Sequence, residues 1–237
     1  NSFYGLQQCK CNNDVMRELL RVMTKKVYES GVLLDGQALG NALYGLQNMT
    51  SDEPVIIGVL EAMYSLCTTS GAGMTPQELC NAVCGMQGMS DEHQVVENFI
   101  YFLGKRLALS SMPFGSYEIS TAIYGIQRMG HSAASRMLLN ELIFKLELSS
   151  EAIRDSRHLG NMMIGIRSMT FPCAEALKLL ALSTPHIYGL KRINPIDFAN
   201  IIFGLRGFNH WHPTIVVFLN VVLSKIVKCH IEFTAQE

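Results

Sequence analysis

At 237 residues the chain could form one large domain or two small ones, and its 49% hydrophobic content is enough to bury a continuous core. Nineteen Lys plus Arg against 20 Asp plus Glu leave a net charge of −1, which excludes a global field drawing the protein to polyanions or acidic membranes. The longest apolar stretch, Ile215 to Leu223, falls short of the roughly 20 residues a bilayer requires, so no transmembrane span is expected.

The chain opens on NSFYGLQQ, the pattern of a helix interior, with neither a signal-peptide nor an Arg-rich transit pattern. The native N-terminus is therefore expected to lie upstream, and targeting cannot be read. The same pattern then returns along the chain. FYGLQQC, LYGLQNM, VCGMQGM, IYGIQRM, MIGIRSM and IFGLRGF place a glycine at Gly5, Gly45, Gly85, Gly125, Gly165 and Gly204, at spacings of 40, 40, 40, 40 and 39. A fixed period of this length is the signature of a solenoid. The fold class expected is all-α, an α-solenoid of about six helix-turn-helix repeats in a single domain over 1–237. Approximate units are 1–32, 33–73, 74–113, 114–152, 153–192 and 193–237.

In the second unit Leu39, Ala42, Leu43, Leu46 and Met49 fall on one apolar arc of the first helix, and Ser51, Asp52 and Glu53 precede the second helix as cap and dipole partners. The loop Thr68 to Gly73 leads to the third unit. There Thr75-Pro76-Gln77-Glu78 has capping-box spacing, Leu79, Ala82, Val83, Met86 and Met89 repeat the arc, and Ser90, Asp91 and Glu92 precede an amphipathic second helix from Val95 to Leu107. The fifth unit is expected to end in a loop, Ser183 to Gly189. The sixth starts at Asn194-Pro195-Ile196-Asp197 and ends in a helix, Ile215 to Ile226, that is apolar nearly all round. Further chain or a partner is expected to cover that helix. The glycine lies inside each first helix, where it costs about 1 kcal/mol relative to Ala, and its recurrence implies close approach of a neighbouring helix.

Three polar or aromatic rows share this register. Asn41, Asn81, Thr121, Asn161 and Asn200 stand four before the glycine, with Asn1 in the first unit, and Gln47, Gln87, Gln127, Arg167 and Arg206 stand two after it. Tyr4, Tyr44, Tyr124 and Phe203 precede it directly. The Asn row lies opposite the apolar arc and could contact bases or phosphates, but it is most simply a ladder of amides bonded between repeats, because buried amides need partners and a repeat supplies them at every step. The Gln and Arg row could equally contact bases or phosphates, and the aromatic row most simply packs between repeats. Arg128, Arg154, Arg157, Arg167, Lys191, Arg192 and Arg206 shift basic character to the later units, either as a phosphate track or as solvated helix ends.

The unit length, the hairpin layout and the aliphatic, small, aromatic run NALYGLQNM resemble the organellar helical-repeat proteins of the octotricopeptide and heptatricopeptide type, over essentially the whole chain. The resemblance implies binding of single-stranded organellar RNA, in transcript maturation, translation or ribosome assembly, and a mitochondrial or chloroplast location. Candidate RNA contacts are then Gln47, Gln87, Gln127, Arg128, Arg167 and Arg206. The alternative is a protein scaffold within a large ribosomal, respiratory or photosynthetic assembly.

Seven cysteines, an odd number scattered through apolar contexts, suggest a reducing compartment. Cys80 and Cys84 are one helical turn apart and Cys9 and Cys11 are close, but neither pair has a spaced second pair, so no metal and no cofactor are expected. His210 and His212 flank Trp211 as caps or packing. The loop from Ser70 to Met74 lacks a phosphate-loop ending, and no acid, base and nucleophile set stands out from the repeat, so the chain is not expected to be an enzyme.

Overall fold

A computed structural model describes residues 2–67, 73–130, 132–149, 151, 153–169 and 172–229, without the side chain of residue 229. Asn1 and most of the loop from Thr68 to Gly73 lie outside the described residues. After a short 3₁₀ turn, Tyr4–Leu6, the chain forms α1 (Asp14–Ser30), α2 (Gly36–Gly45), α3 (Pro54–Cys67), α4 (Pro76–Gly85), α5 (Gln94–Leu109) and α6 (Ser116–Gly125). Then come α7 (Ala133–Leu148), α8 (Ser156–Gly165), α9 (Ala174–Gly189), α10 (Pro195–Gly204) and α11 (Pro213–Cys229). The described residues contain no strand, and the protein is an all-helical α-solenoid.

The even-numbered helices up to α10 pack side by side as one layer, and the odd-numbered helices from α1 to α11 form the other. One continuous core fills the space between them. The apolar arcs point into it: Leu39, Leu43, Leu46 and Met49, and likewise Leu79, Val83, Met86 and Met89, are almost fully buried. Full burial of each such side chain is worth about 1.5–3 kcal/mol. Because the core is shared between successive hairpins, no single unit could hold it closed.

The capping signals hold in part. Thr75 and Glu78 close a capping box on α4, and the Asn194 side chain accepts from Asp197 N at the start of α10. Ser51 and Ser90 do not cap their helices, because α3 and α5 begin three and four residues downstream, at Pro54 and Gln94. Ser51 Oγ instead accepts from Ser90 N in the next unit, at 2.9 Å. The segment Ser183 to Gly189 is the end of α9 rather than a loop. Pro185 removes one amide from that helix, but burial of Ser183, Thr184 and Ile187 keeps it wound, with Thr184 Oγ1 donating back to Leu180 O at 2.7 Å.

From α2 to α10 the glycine is the last residue of each first helix rather than an interior one, while Gly5 lies within the 3₁₀ turn Tyr4–Leu6. Beyond it the chain tightens into three-residue turns, such as Leu46 N to Leu43 O and Gln47 N to Tyr44 O. A Cβ on Gly45, Gly85, Gly125, Gly165 or Gly204 would collide with the carbonyl oxygen of Phe3, Leu43, Val83, Ile123 or Met163 respectively. In every case that carbonyl belongs to the residue two before the preceding unit's glycine. The row is therefore the line along which successive backbones meet.

Candidate binding face

The turn after each glycine carries the inter-repeat ladder. Gln47 Nε2 donates to Gln7 O at 3.4 Å, Gln87 Nε2 to Gln47 O at 2.7 Å and Gln127 Nε2 to Gln87 Oε1 at 3.3 Å, and Arg167 Nε continues to Gln127 O at 3.4 Å. Gln127 is only 7% exposed. Three of the six candidate RNA contacts, Gln47, Gln87 and Gln127, thus have their amides committed to the stack. Neighbouring side chains double the ladder: Asn48 Nδ2 donates to Gln7 O at 2.7 Å and Ser168 Oγ to Gln127 O at 2.6 Å.

Arg128 is also committed. Its guanidinium grips Asp52 through both nitrogens at 3.1 Å and donates to Gly88 O at 3.0 Å, linking three successive units. This pair holds the Asp52 carboxyl below its ordinary range. Asp91 plays a similar part further on, accepting from Gly130 N, Ser132 N and Ser135 Oγ. Burial opposes its charge, but these donors win and its carboxyl is held low.

The Asn row, expected to be the ladder, is not. Among the described residues the side chains of Asn41, Asn81, Asn161 and Asn200 make no hydrogen bond to another unit, and all four are half-buried on the first-helix layer. They follow the exposed residues Gln37, Gln77, Arg157 and Ile196 by one turn and precede the aromatic row by another, so each first helix presents the same stripe outward. Along that aromatic row Tyr44 and Tyr124 are half-buried, Tyr4 is 40% and Phe203 44% exposed, and Cys84 and Ile164 are buried. Tyr4 and Tyr44 stack across units with ring centroids 6.0 Å apart.

Positive charge gathers at the later end of this face. The Arg206 and Arg167 guanidiniums lie 4.6 and 5.7 Å from the centroid of the Phe203 ring. Neither pairs with a carboxylate among the described residues. Burial, then the charge of Arg206, pushes Arg167 down from the usual guanidinium range. Arg154, Lys191 and Arg192 are exposed away from this cluster, and Arg157 pairs with Asp155 at 2.9 Å.

At the N-terminal ends of the first helices a second set of bridges joins the units: Ser116 Oγ to His158 Nδ1 at 3.3 Å, and Ser156 Oγ donating to Asp197. Sequence reading missed these pairs. Their signal is a fixed offset of 41 or 42 residues between positions that change chemistry from unit to unit. His212 Nδ1 accepts from Thr214 N at the start of α11, as a cap does. Among the described residues no group of three His, Cys, Asp or Glu side chains could hold a metal ion, and no helix is long and apolar enough to cross a membrane. No protein-family model, curated protein or solved structure matches the chain.

Proposed function

We propose that this is a non-catalytic solenoid that holds single-stranded RNA along the outward stripe of its first helices. The observation that carries the proposal is the Asn row: four amides at one helical position, in the second, third, fifth and sixth units with Thr121 between them, each without a hydrogen bond to another unit among the described residues. An amide offers a donor and an acceptor together, which is what a base edge requires, and unpaired bases are the ones whose edges are free. The half-exposed rings of Tyr44, Tyr124 and Phe203 lie one turn away, suited to stacking. Arg167 and Arg206 supply charge for phosphate. The family resemblance directs the proposal to organellar transcripts.

With Arg128 engaged by Asp52, Arg167 and Arg206 are the two guanidiniums of the later units on this face that pair with no carboxylate among the described residues. The plot of log affinity against log salt should then have a shallow slope of about −1.4, at about −0.7 per contact for a single strand. Binding of a randomised single-stranded RNA pool, measured by filter retention across a salt series, tests this. Replacing Arg167 and Arg206 by Ala should flatten the slope, and replacing Asn41, Asn81, Asn161 and Asn200 by Ala should weaken binding at least about tenfold without changing it. Absence of RNA retention at low salt, or retention indifferent to both sets, rejects the proposal.

A protein-scaffold role has its own support at the last unit. Ile215, Phe218 and Val222 of α11 are buried, whereas Val216, Val217, Leu223 and Val227 on the same helix are exposed. Apolar surface of this kind suits a protein neighbour.

A further inference from the structure

Where α5 and α7 end, the edge of the solenoid opens into a cavity of about 960 Å³. Its rim is apolar and exposed: Leu109 (79%) and Leu148 (66%) close the two helices, and Met112, Tyr117 and Phe144 complete it. Two carboxylates line it, Glu118 half-buried and Glu151 exposed. A methyl placed on Gly115 would lie 2.7 Å from Glu118 Oε2 and 3.0 Å from Glu151 Oε2, so both side chains converge on the start of α6. Glu151 Oε2 accepts from Ser116 N at 3.2 Å, and neither carboxylate pairs with a cation among the described residues.

Three sources of negative potential therefore coincide, and together they outweigh the positive end of α6, equivalent to about half a charge, that starts beside the carboxylates. The two carboxylates are one. The C-terminal ends of α5 and α7 are the others, each equivalent to about half a negative charge. Among the described residues the one cation in the wall, Lys145, is 8% exposed; its ammonium donates to Ser110 O and lies 5.6 Å from the Phe114 ring centroid. It is held by the wall rather than offered to the cavity. The charge at this site repels a phosphate backbone, and the apolar rim has no part in binding a bare inorganic cation.

We infer that this cavity docks a segment of a partner protein in which Lys or Arg alternates with aliphatic or aromatic residues. The basic side chain lies between Glu118 and Glu151, and its apolar neighbours cover Leu109, Met112 and Leu148. On α6 the RNA stripe runs through Thr121 and Tyr124 towards the end of the helix, whereas this cavity lies at its start and shares with the stripe Tyr117 alone, so RNA binding is not required for this docking.

Selection of a random dodecapeptide phage library against the whole chain tests the inference. Basic, apolar sequences should be enriched, and a synthetic peptide of the enriched sequence should lose at least about tenfold in affinity on Glu118→Gln with Glu151→Gln, and lose affinity with added salt. Leu148→Ser alters an exposed residue and should weaken the same peptide with the thermal unfolding midpoint unchanged. The inference is overturned by no enrichment, by acidic or uncharged winners, or by basic winners whose affinity survives both variants.

Discussion

Gly125→Ala is a one-methyl change whose sign separates helix propensity from stacking. A Cβ at this position would lie 2.8 Å from Cys84 Cα and closer still to Val83 O, where ordinary contact begins at 3.4 Å. Both atoms are backbone, so no rotamer can yield and the units must part by at least about 0.6 Å. A gap of that size removes about a quarter of the dispersion well for atoms facing across it. Val83, Met86, Ile123 and Ile126 are buried at this junction. A buried side chain of their size makes about 40–60 contacts at about 0.1–0.2 kcal/mol each, and about a third of them cross to the neighbour. The four together lose about 3 kcal/mol, the upper end of the usual overpacking cost. Helix propensity returns less than the about 1 kcal/mol of an interior site, because Gly125 is the last residue of α6, leaving a net loss of about 2–3 kcal/mol. Gly58→Ala is the control: it lies within α3 with nothing within 4 Å of its would-be Cβ, and should stabilise by about 0.5–1 kcal/mol. Urea unfolding of the two variants should shift the midpoint in opposite directions. A Gly125→Ala midpoint at or above that of the parent would refute the backbone-contact argument.

Ser183 is fully buried and its hydroxyl has no hydrogen-bond partner among the described residues, so Ser183→Ala should raise stability by about 1 kcal/mol in the same assay. Asp91 has its carboxyl held low in the fold; its stabilisation is fully present above the unfolded carboxylate range and disappears as pH falls through the depressed folded value. Asp91→Asn should therefore cost about 1–3 kcal/mol at neutral pH and lessen the loss of stability on acidification, read from unfolding midpoints against pH. Burial pushes the Cys67 and Cys84 thiols up to about 11 and holds the Cys80 thiol well above the usual thiol range. Among the six cysteines whose side chains are described, iodoacetamide at pH 8 should modify half-buried Cys9 first, as peptide mass mapping would show.

The glycine period carried the architecture, because one steric requirement, a carbonyl lying where a side chain would be, recurs at every junction. The rows around it were harder to sort. A wheel drawn at about 100° per residue treats the first helix as continuing past Gly45 to Met49, which leaves Gln47 on an open face. The helix ends at Gly45, and the following three-residue turns rotate Gln47 toward the preceding unit, where its amide finds Gln7 O. Asn41 stays on regular helix and remains outward. The Arg128 to Asp52 pair joins residues 76 apart, two units along the stack, so neither residue's local pattern announces it. Pro185 gave α9 the look of a loop, since burial of Thr184 and Ile187 is not visible in the local sequence. The cavity edged by Leu109 and Leu148 was equally hidden, because it forms only where two second helices end beside each other.

Ultraviolet crosslinking of a bound single-stranded RNA pool, followed by mass-spectrometric mapping of the adducts, tests the central claim most directly. If the outward stripe of the first helices holds the strand, adducts fall on Tyr44, Tyr124 and Phe203, whose rings lie one turn from the Asn row. Failure to retain RNA, or adducts confined to Tyr101, Phe144 and Tyr188, which are exposed on the second-helix layer, would contradict the account.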